Sequence, residues 1–240
     1  MGSDIIFTKN ADRGAIEAIG LNDFEAFWNI ELTLGDAGGI ESKRTHKNGK
    51  EILRDTCKIE IGGRRYFLKR SCGASFKAVL YELEARKVLP EFGLTSSGFS
   101  VYGLDSSSRR AFILLDDMPG FISYEQYLYK NASEGQLAAF EERLDLFMNT
   151  VFSAFNKFLK SAYMYRDWDR NHLFFNPETG EVGLIDLERF MHISCFPLYY
   201  RIPLVKKYKR KKEVKKLASA LGLSFDELTR RLRKNAIPVV

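Results

Sequence analysis

From Ser133 to Lys160, apolar residues return at every third or fourth position: Leu137, Phe140, Leu144, Phe147, Val151, Phe155 and Phe158. That repeat follows one face of a helix, and with Ser133 as N-cap it predicts a single, deeply packed helix of about seven turns. Residues 75–92, rich in Ala, Leu, Glu and Lys and closed by Gly93, predict a second amphipathic helix. Elsewhere the period falls to two. Cys57-Lys-Ile-Glu-Ile and Tyr66-Phe-Leu-Lys flank Gly62-Gly63 and predict a hairpin whose second strand ends at Lys69. Phe99–Tyr102 and Ala111–Leu115, separated by a polar turn, predict another. A third, smaller one joins Leu173–Phe175 to Val182–Ile185 through Asn176-Pro177-Glu178-Thr179-Gly180. Near the end, 217–232 reads as helix, glycine turn, helix, with Ser224 and Glu227 at capping-box spacing and Leu217, Leu221, Phe225, Leu228 and Leu232 on the inner face.

Strands with one helix come first and helices dominate afterwards, so the predicted class is α+β, with a sheet-rich lobe over 1–115 and a helical lobe over 116–240. Over 240 residues, 45% hydrophobic and 13% aromatic content is enough for a sizeable core and excludes a disordered or fibrous chain. The apolar runs fall short of the roughly 18 to 20 residues needed to cross a bilayer, and no basic stretch followed by an apolar run opens the chain. A soluble, non-exported protein is expected. Cys57, Cys72 and Cys195 are odd in number and widely spaced, and the three histidines lie at 46, 172 and 192. This pattern suits a reducing compartment without a disulfide framework or structural zinc.

Charge is concentrated in one place. Nine basic residues against Glu213 give 201–216 a charge of +8, which leaves the rest of the chain at −2 of the total +6. Such a run attracts an anionic membrane face or a phosphate-rich polymer, or is a solvated helix face.

Candidate chemistry gathers around the third hairpin. Tyr165-Arg166-Asp167 leads into Asn171-His172 on one side, and Ile185-Asp186-Leu187 follows on the other, nineteen residues after Asp167. In phosphoryl transfer one carboxylate orients the acceptor hydroxyl and takes its proton, while a second holds the magnesium that neutralises nucleotide phosphates. Protein kinases write these parts as H-R-D-L-x-x-x-N and D-F-G, preceded by a strand lysine paired with a helix glutamate. Here Lys69 lies on a strand, Glu82 and Glu84 lie on the next helix, and the two aspartates follow in that order.

With these residues the chain resembles the lipopolysaccharide core heptose kinases, the Kdo/WaaP-type family with a protein-kinase-like fold. In that family His stands five positions after the catalytic Asp, and D-F-G becomes I-D-L-x-R. Asp167 with His172, and Ile185-Asp186-Leu187-Glu188-Arg189, carry both features. Gly62–Lys69, Glu82 with Ala85, Leu89 and Gly93, Ala111–Leu114 and Phe24–Phe27 extend the likeness over most of the chain. The resemblance implies a two-lobed fold using ATP and Mg²⁺. Lys69 would bind the nucleotide phosphates with Glu82 as its partner, Asp167 would be the base, and Asp186 would hold the metal. His172 or the adjacent Asn171 would be a further metal ligand or orient Asp186. Asp116 to Met118 would meet the adenine through the backbone, and the glycine-containing stretch 35–49 is a candidate cover for the phosphates. The implied acceptor is a lipopolysaccharide inner-core glycolipid, which places the chain in the cytoplasm at the inner-membrane face. The basic run, with Lys206, Lys207, Lys209, Arg210, Lys211 and Lys212, would then meet anionic lipid rather than nucleic acid. Two other readings compete: a degenerate kinase that binds without transferring, and a regulator that uses 217–232 as a DNA-reading helix-turn-helix.

Overall fold

A computed structural model describes residues 4–30, 54–195, 198 and 202–234. They fall into two compact units, Met1–Leu80 with Ser97–Met118 and Tyr81–Ser96 with Pro119–Val240.

The first unit is built on a five-stranded antiparallel sheet in the order β1-β4-β5-β3-β2, from β1 (Asp4–Phe7), β2 (Arg54–Ile61), β3 (Arg64–Cys72), β4 (Phe99–Asp105) and β5 (Arg110–Asp116). Gly62 and Gly63 both have positive φ, 57° and 75°, so the β2–β3 turn has the primed geometry that matches strand twist. On the edge strand β2, Cys57, Ile59 and Ile61 are buried while Lys58 and Glu60 face solvent; the more central β5 is buried continuously from Ala111 to Leu115. β3 runs three residues beyond the expected end at Lys69, because Arg70, Ser71 and Cys72 pair with Phe112, Ala111 and Arg110 of β5. The short helices α1 (Arg13–Ala18) and α2 (Phe24–Asn29), capped by Asp12 and Asp23, supply Ile16, Phe24 and Phe27 to this core. Phe27 stacks on Phe112 with ring centroids 4.5 Å apart.

The boundary between units falls within α3 (Lys77–Val88), so that Glu82 belongs to the second. Pro90 tightens the next turn, and Gly93, at φ 79°, ends it. The remaining elements are β6 (Ile122–Ser123), α4 (Tyr124–Leu128), α5 (Glu134–Glu142), α6 (Leu144–Lys160), β7 (Tyr163–Tyr165), β8 (Leu173–Phe175), β9 (Val182–Leu184), β10 (Phe190–His192), α7 (Pro203–Ala220) and α8 (Phe225–Lys234). β6, β8 and β9 form one small sheet, and β7 pairs with β10. The single seven-turn helix expected over 133–160 is two helices, broken at Arg143, whose φ and ψ are −115° and 17°. Its guanidinium leaves the helical path to bind the carbonyls of Pro177 and Glu178 in the β8–β9 turn. Phe140 and Phe147 still face the same core across the break, so the apolar spacing carries no trace of it.

α7 and α8 close this unit. Leu217, Leu221, Leu228 and Leu232 lie in its core, and Asn156 of α6 donates to the Leu232 carbonyl at 3.0 Å. The tail helices therefore bury most of the apolar face that the sequence pattern marks, with Phe225 only half-buried. Among the described residues no helix is long and apolar enough to cross a membrane.

Candidate active site

β7 delivers the chain into the loop 166–172, and Trp168 anchors that loop. Its ring meets Phe155, Phe158 and Tyr165 at 5.0, 5.5 and 5.2 Å. Asp167, beside it, keeps 15% of its side chain exposed, and its Oδ1 faces Arg189 Nη1 at 3.2 Å and Lys216 Nζ at 3.5 Å. Lys216 Nζ also donates to the Arg166 carbonyl.

His172 links the two aspartates. Its Nδ1 lies 2.9 Å from the Asp167 carbonyl oxygen, and its Nε2 lies 3.7 Å from Asp186 Oδ2. A carbonyl only accepts, so Nδ1 carries a proton, and Nε2 is the ring nitrogen on the Asp186 side. The neighbouring Asn171 is exposed. Asp186 adopts left-handed backbone, φ 56° and ψ 55°, which costs a non-glycine residue about 1–2 kcal/mol and has to be held by its surroundings. The holding group is Tyr165, whose hydroxyl donates to the Ile185 carbonyl at 3.0 Å with the Asp186 carbonyl at 3.4 Å. Burial pushes the Tyr165 phenol well above its usual value, so it stays a donor.

Among the described residues no group of three or more His, Cys, Asp or Glu side chains is assembled for a metal. Magnesium does not need one, since it commonly takes one or two carboxylates and completes its octahedron with water and phosphate oxygens. Asp186, partly exposed and with His172 Nε2 beside it, fits that chemistry.

The other expected site residues sit as follows. Lys69 is in mid-β3, half-buried, between Thr56 of β2 and Ile113 of β5. Glu82 is buried and pairs with Arg86 at 2.8 Å; Arg86 also reaches Ser96 Oγ at 3.1 Å. Asp116 ends β5, where its Oδ1 accepts from Ser100 Oγ at 2.6 Å, and its carboxylate fills the space a side chain at Gly98 would need. Asp117 pairs with Arg65 at 2.8 Å, and Met118 is half-buried. The stretch 35–49 lies outside the described residues.

Sequence reasoning gave the basic run 201–216 a surface role, and Arg210, Glu213 and Lys216 of it lie beside the site. Arg210 and Glu213 are buried; Arg210 Nη1 meets Glu213 Oε2 at 2.9 Å, and Glu213 Oε1 accepts the Tyr165 backbone N–H at 3.1 Å. Burial raises the Glu213 carboxyl to about 7 against the opposing pull of Arg210. Arg210 is therefore not available to a membrane, contrary to its place in the expected basic face. The signal in the sequence is Glu213 itself, the one acidic residue in the run, three positions from both Arg210 and Lys216. Between the loop and the end of α7 lies a cavity of about 190 Å³ lined by Asp167, Asp169, Arg170, His172, Lys216 and Ser219, among others.

A five-stranded antiparallel sheet in one unit and a mainly helical second unit make a mixed fold, of the kinase-like class to which the similar solved structure belongs. Among solved structures the chain is similar to WaaP in a complex of WaaP with acyl carrier protein, with a TM-score of 0.52 and 15% identity over 98% of this chain and 100% of that one. No protein-family model and no curated protein matches the sequence.

Proposed function

We propose that the chain is an ATP-dependent sugar kinase that transfers the γ-phosphoryl group to a hydroxyl of a lipopolysaccharide inner-core sugar, a heptose. The observation that carries this reading is His172, which binds the Asp167 carbonyl through one ring nitrogen and faces the Asp186 carboxylate with the other. A proton acceptor and a metal-binding carboxylate are thereby tied together, as in-line phosphoryl transfer requires. Asp167 takes the proton of the acceptor hydroxyl as that oxygen bonds to the γ-phosphorus. The bond from phosphorus to the β–γ bridging oxygen breaks, and ADP leaves. Bound at Asp186, magnesium would neutralise charge on the phosphates. Lys69 is assigned to the nucleotide phosphates, Glu82 to positioning that lysine, and 116–118 to the adenine.

The direct test incubates the protein with γ-labelled ATP, Mg²⁺ and deacylated inner-core oligosaccharide. Label should appear on the oligosaccharide. Mg-ATP binding with no transfer to any core sugar would leave only a nucleotide-binding relative, and no binding would remove the kinase reading.

An amphiphilic acceptor brings the enzyme to an anionic leaflet, and the outer face of α7 suits that contact. Leu204, Lys207, Tyr208, Lys211, Lys212 and Lys215 recur at helical spacing and are exposed, Leu204 by 78% and Tyr208 by 55%. Lysines with an apolar residue among them favour a lipid interface, at about 1 kcal/mol per cation near the leaflet. Changing Lys207, Lys211, Lys212 and Lys215 to Ser should abolish flotation with phosphatidylserine-containing vesicles and leave the core untouched. Equal recovery of native and changed protein would exclude this face.

A further inference from the structure

We propose that the cavity between the loop 166–172 and the end of α7 is the acceptor subsite. Arg170, with Trp168 and Lys216, makes it select a sugar that bears an anionic group, a carboxylate or a phosphate, near the hydroxyl presented to Asp167. This inference rests on the reading that Asp167 serves phosphoryl transfer to a sugar.

At about 190 Å³ the cavity is smaller than the roughly 300–1,000 Å³ of pockets that take drug-sized ligands, so it suits one sugar ring rather than a nucleotide. Its wall holds a donor with nothing to donate to. Trp168, which lines the cavity, is 3% exposed, and its ring is wedged edge-on among Phe155, Phe158 and Tyr165. That packing keeps the ring from turning in search of an acceptor. Among the described residues its buried Nε1–H has no hydrogen-bond partner. An indole N–H only donates, and a buried donor left unpaired is costly, so an oxygen carried in by a ligand relieves it.

Arg170 supplies the charge. Its guanidinium lies over the Tyr129 ring, 5.6 Å from the centroid, and its Nη1 donates to the Tyr129 hydroxyl at 3.1 Å. Tyr129 thus holds the guanidinium in place without neutralising it, and among the described residues Arg170 has no carboxylate partner. A planar fork fixed in this way, half-buried and with N–H groups to spare, is a ready site for the two oxygens of a carboxylate or phosphate. Lys216 adds to it: an ammonium has three donors, and the Arg166 carbonyl and Asp167 Oδ1 take two. The carboxylates of the wall do not substitute for a ligand. Asp167 Oδ1 faces Arg189 and Lys216, and Asp169 Oδ1 accepts the Arg170 backbone N–H at 2.7 Å. A neutral sugar would leave the Arg170 guanidinium without a counter-ion; an anionic one supplies it.

The test titrates deacylated inner-core oligosaccharide into the full chain without nucleotide, in three forms: intact, carboxyl-reduced and dephosphorylated. The chain has two tryptophans, so in Trp28→Phe the fluorescence comes from Trp168 alone. Calorimetry on the unmodified chain gives the same affinities if that variant does not fold. The intact form should bind saturably and change the Trp168 emission. Binding should weaken by about tenfold or more, the scale of a charge-assisted hydrogen bond, on carboxyl reduction if the recognised group is a carboxylate and on dephosphorylation if it is a phosphate. Arg170→Gln should bind the intact form only as well as the neutralised one and bind the neutralised one normally. In transfer assays it should raise KM for the intact oligosaccharide by the same factor, with KM for Mg-ATP unchanged. Equal binding of all three forms by the native protein, or binding of none, would overturn the proposal. So would an Arg170→Gln protein that loses affinity for every form alike, since Arg170 would then only hold the loop. If the native protein transfers phosphate to no form, the kinase reading fails by itself, and the titration alone decides whether the cavity takes an anionic sugar.

Discussion

Replacing Asp167 by alanine is expected to lower phosphoryl transfer by about 10²- to 10⁴-fold, the range a positioned general base contributes, while Mg-ATP still stabilises the protein. The geometry argues for this separation. Both cations near Asp167, Arg189 and Lys216, meet it at Oδ1. Among the described residues Oδ2 has no hydrogen-bond or ion-pair partner, and the carboxylate lines the cavity beside the loop. Removing it takes away the proposed acceptor of the hydroxyl proton. It also leaves the two cations without their carboxylate, but both are about half exposed and readily hydrated, so the fold should tolerate the change. Asp167→Asn serves as a control that keeps shape and loses the base. Near-native turnover in either variant would mean that another group takes the proton.

Asp186 should behave differently. In the native protein, Mg-ATP at 100 times its Kd stabilises the folded state by about 2.7 kcal/mol, which for a chain of this size is a rise in Tm of roughly 5–10 °C. Asp186→Asn is expected to lose most of that rise. Asparagine is the substitution of choice because it tolerates left-handed backbone, whereas alanine at φ 56° would add strain of its own and lower the starting stability. The rise should be metal-dependent in the native protein and nearly absent without Mg²⁺. A native-sized rise in Asp186→Asn would place the metal elsewhere. Taken together, the two variants separate proton transfer from metal binding: one should bind Mg-ATP and not transfer, the other should do neither.

Much of this molecule is written locally. The β2–β3 hairpin follows from period-two alternation about Gly62-Gly63, because only residues that accept positive φ close a two-residue turn with the right twist. The β8–β9 hairpin follows likewise from Asn176 to Gly180, where Asn176 Oδ1 accepts the amides of Glu178 and Thr179. Lys69, Glu82, Asp167 and Asp186 can be picked out in order, since each stands in or beside an element whose pattern is clear. The break at Arg143 is not visible, because spacing records which residues face the core and says nothing of where the backbone hydrogen bonds stop.

The arrangement around the candidate site was decided by tertiary structure. In sequence, Arg210 and Lys212 are alike, two basic residues in a lysine-rich run. In the fold, one is buried against Phe158 and Glu213 and the other faces solvent, because helix rotation assigns them to opposite faces. Tyr165 stands where a kinase has histidine, and only the approach of β7 to residues 185–186 turns its hydroxyl into the tie on Asp186. The sequence by itself determined which elements form and which carboxylates they carry, through turn chemistry and periodicity that act over a few residues. The partners of the two aspartates' carboxylates, His172 for Asp186 and Arg189 and Lys216 for Asp167, lie 14 to 49 positions away along the chain. They meet only because packing of the aromatic core brings β7, β10 and α7 together.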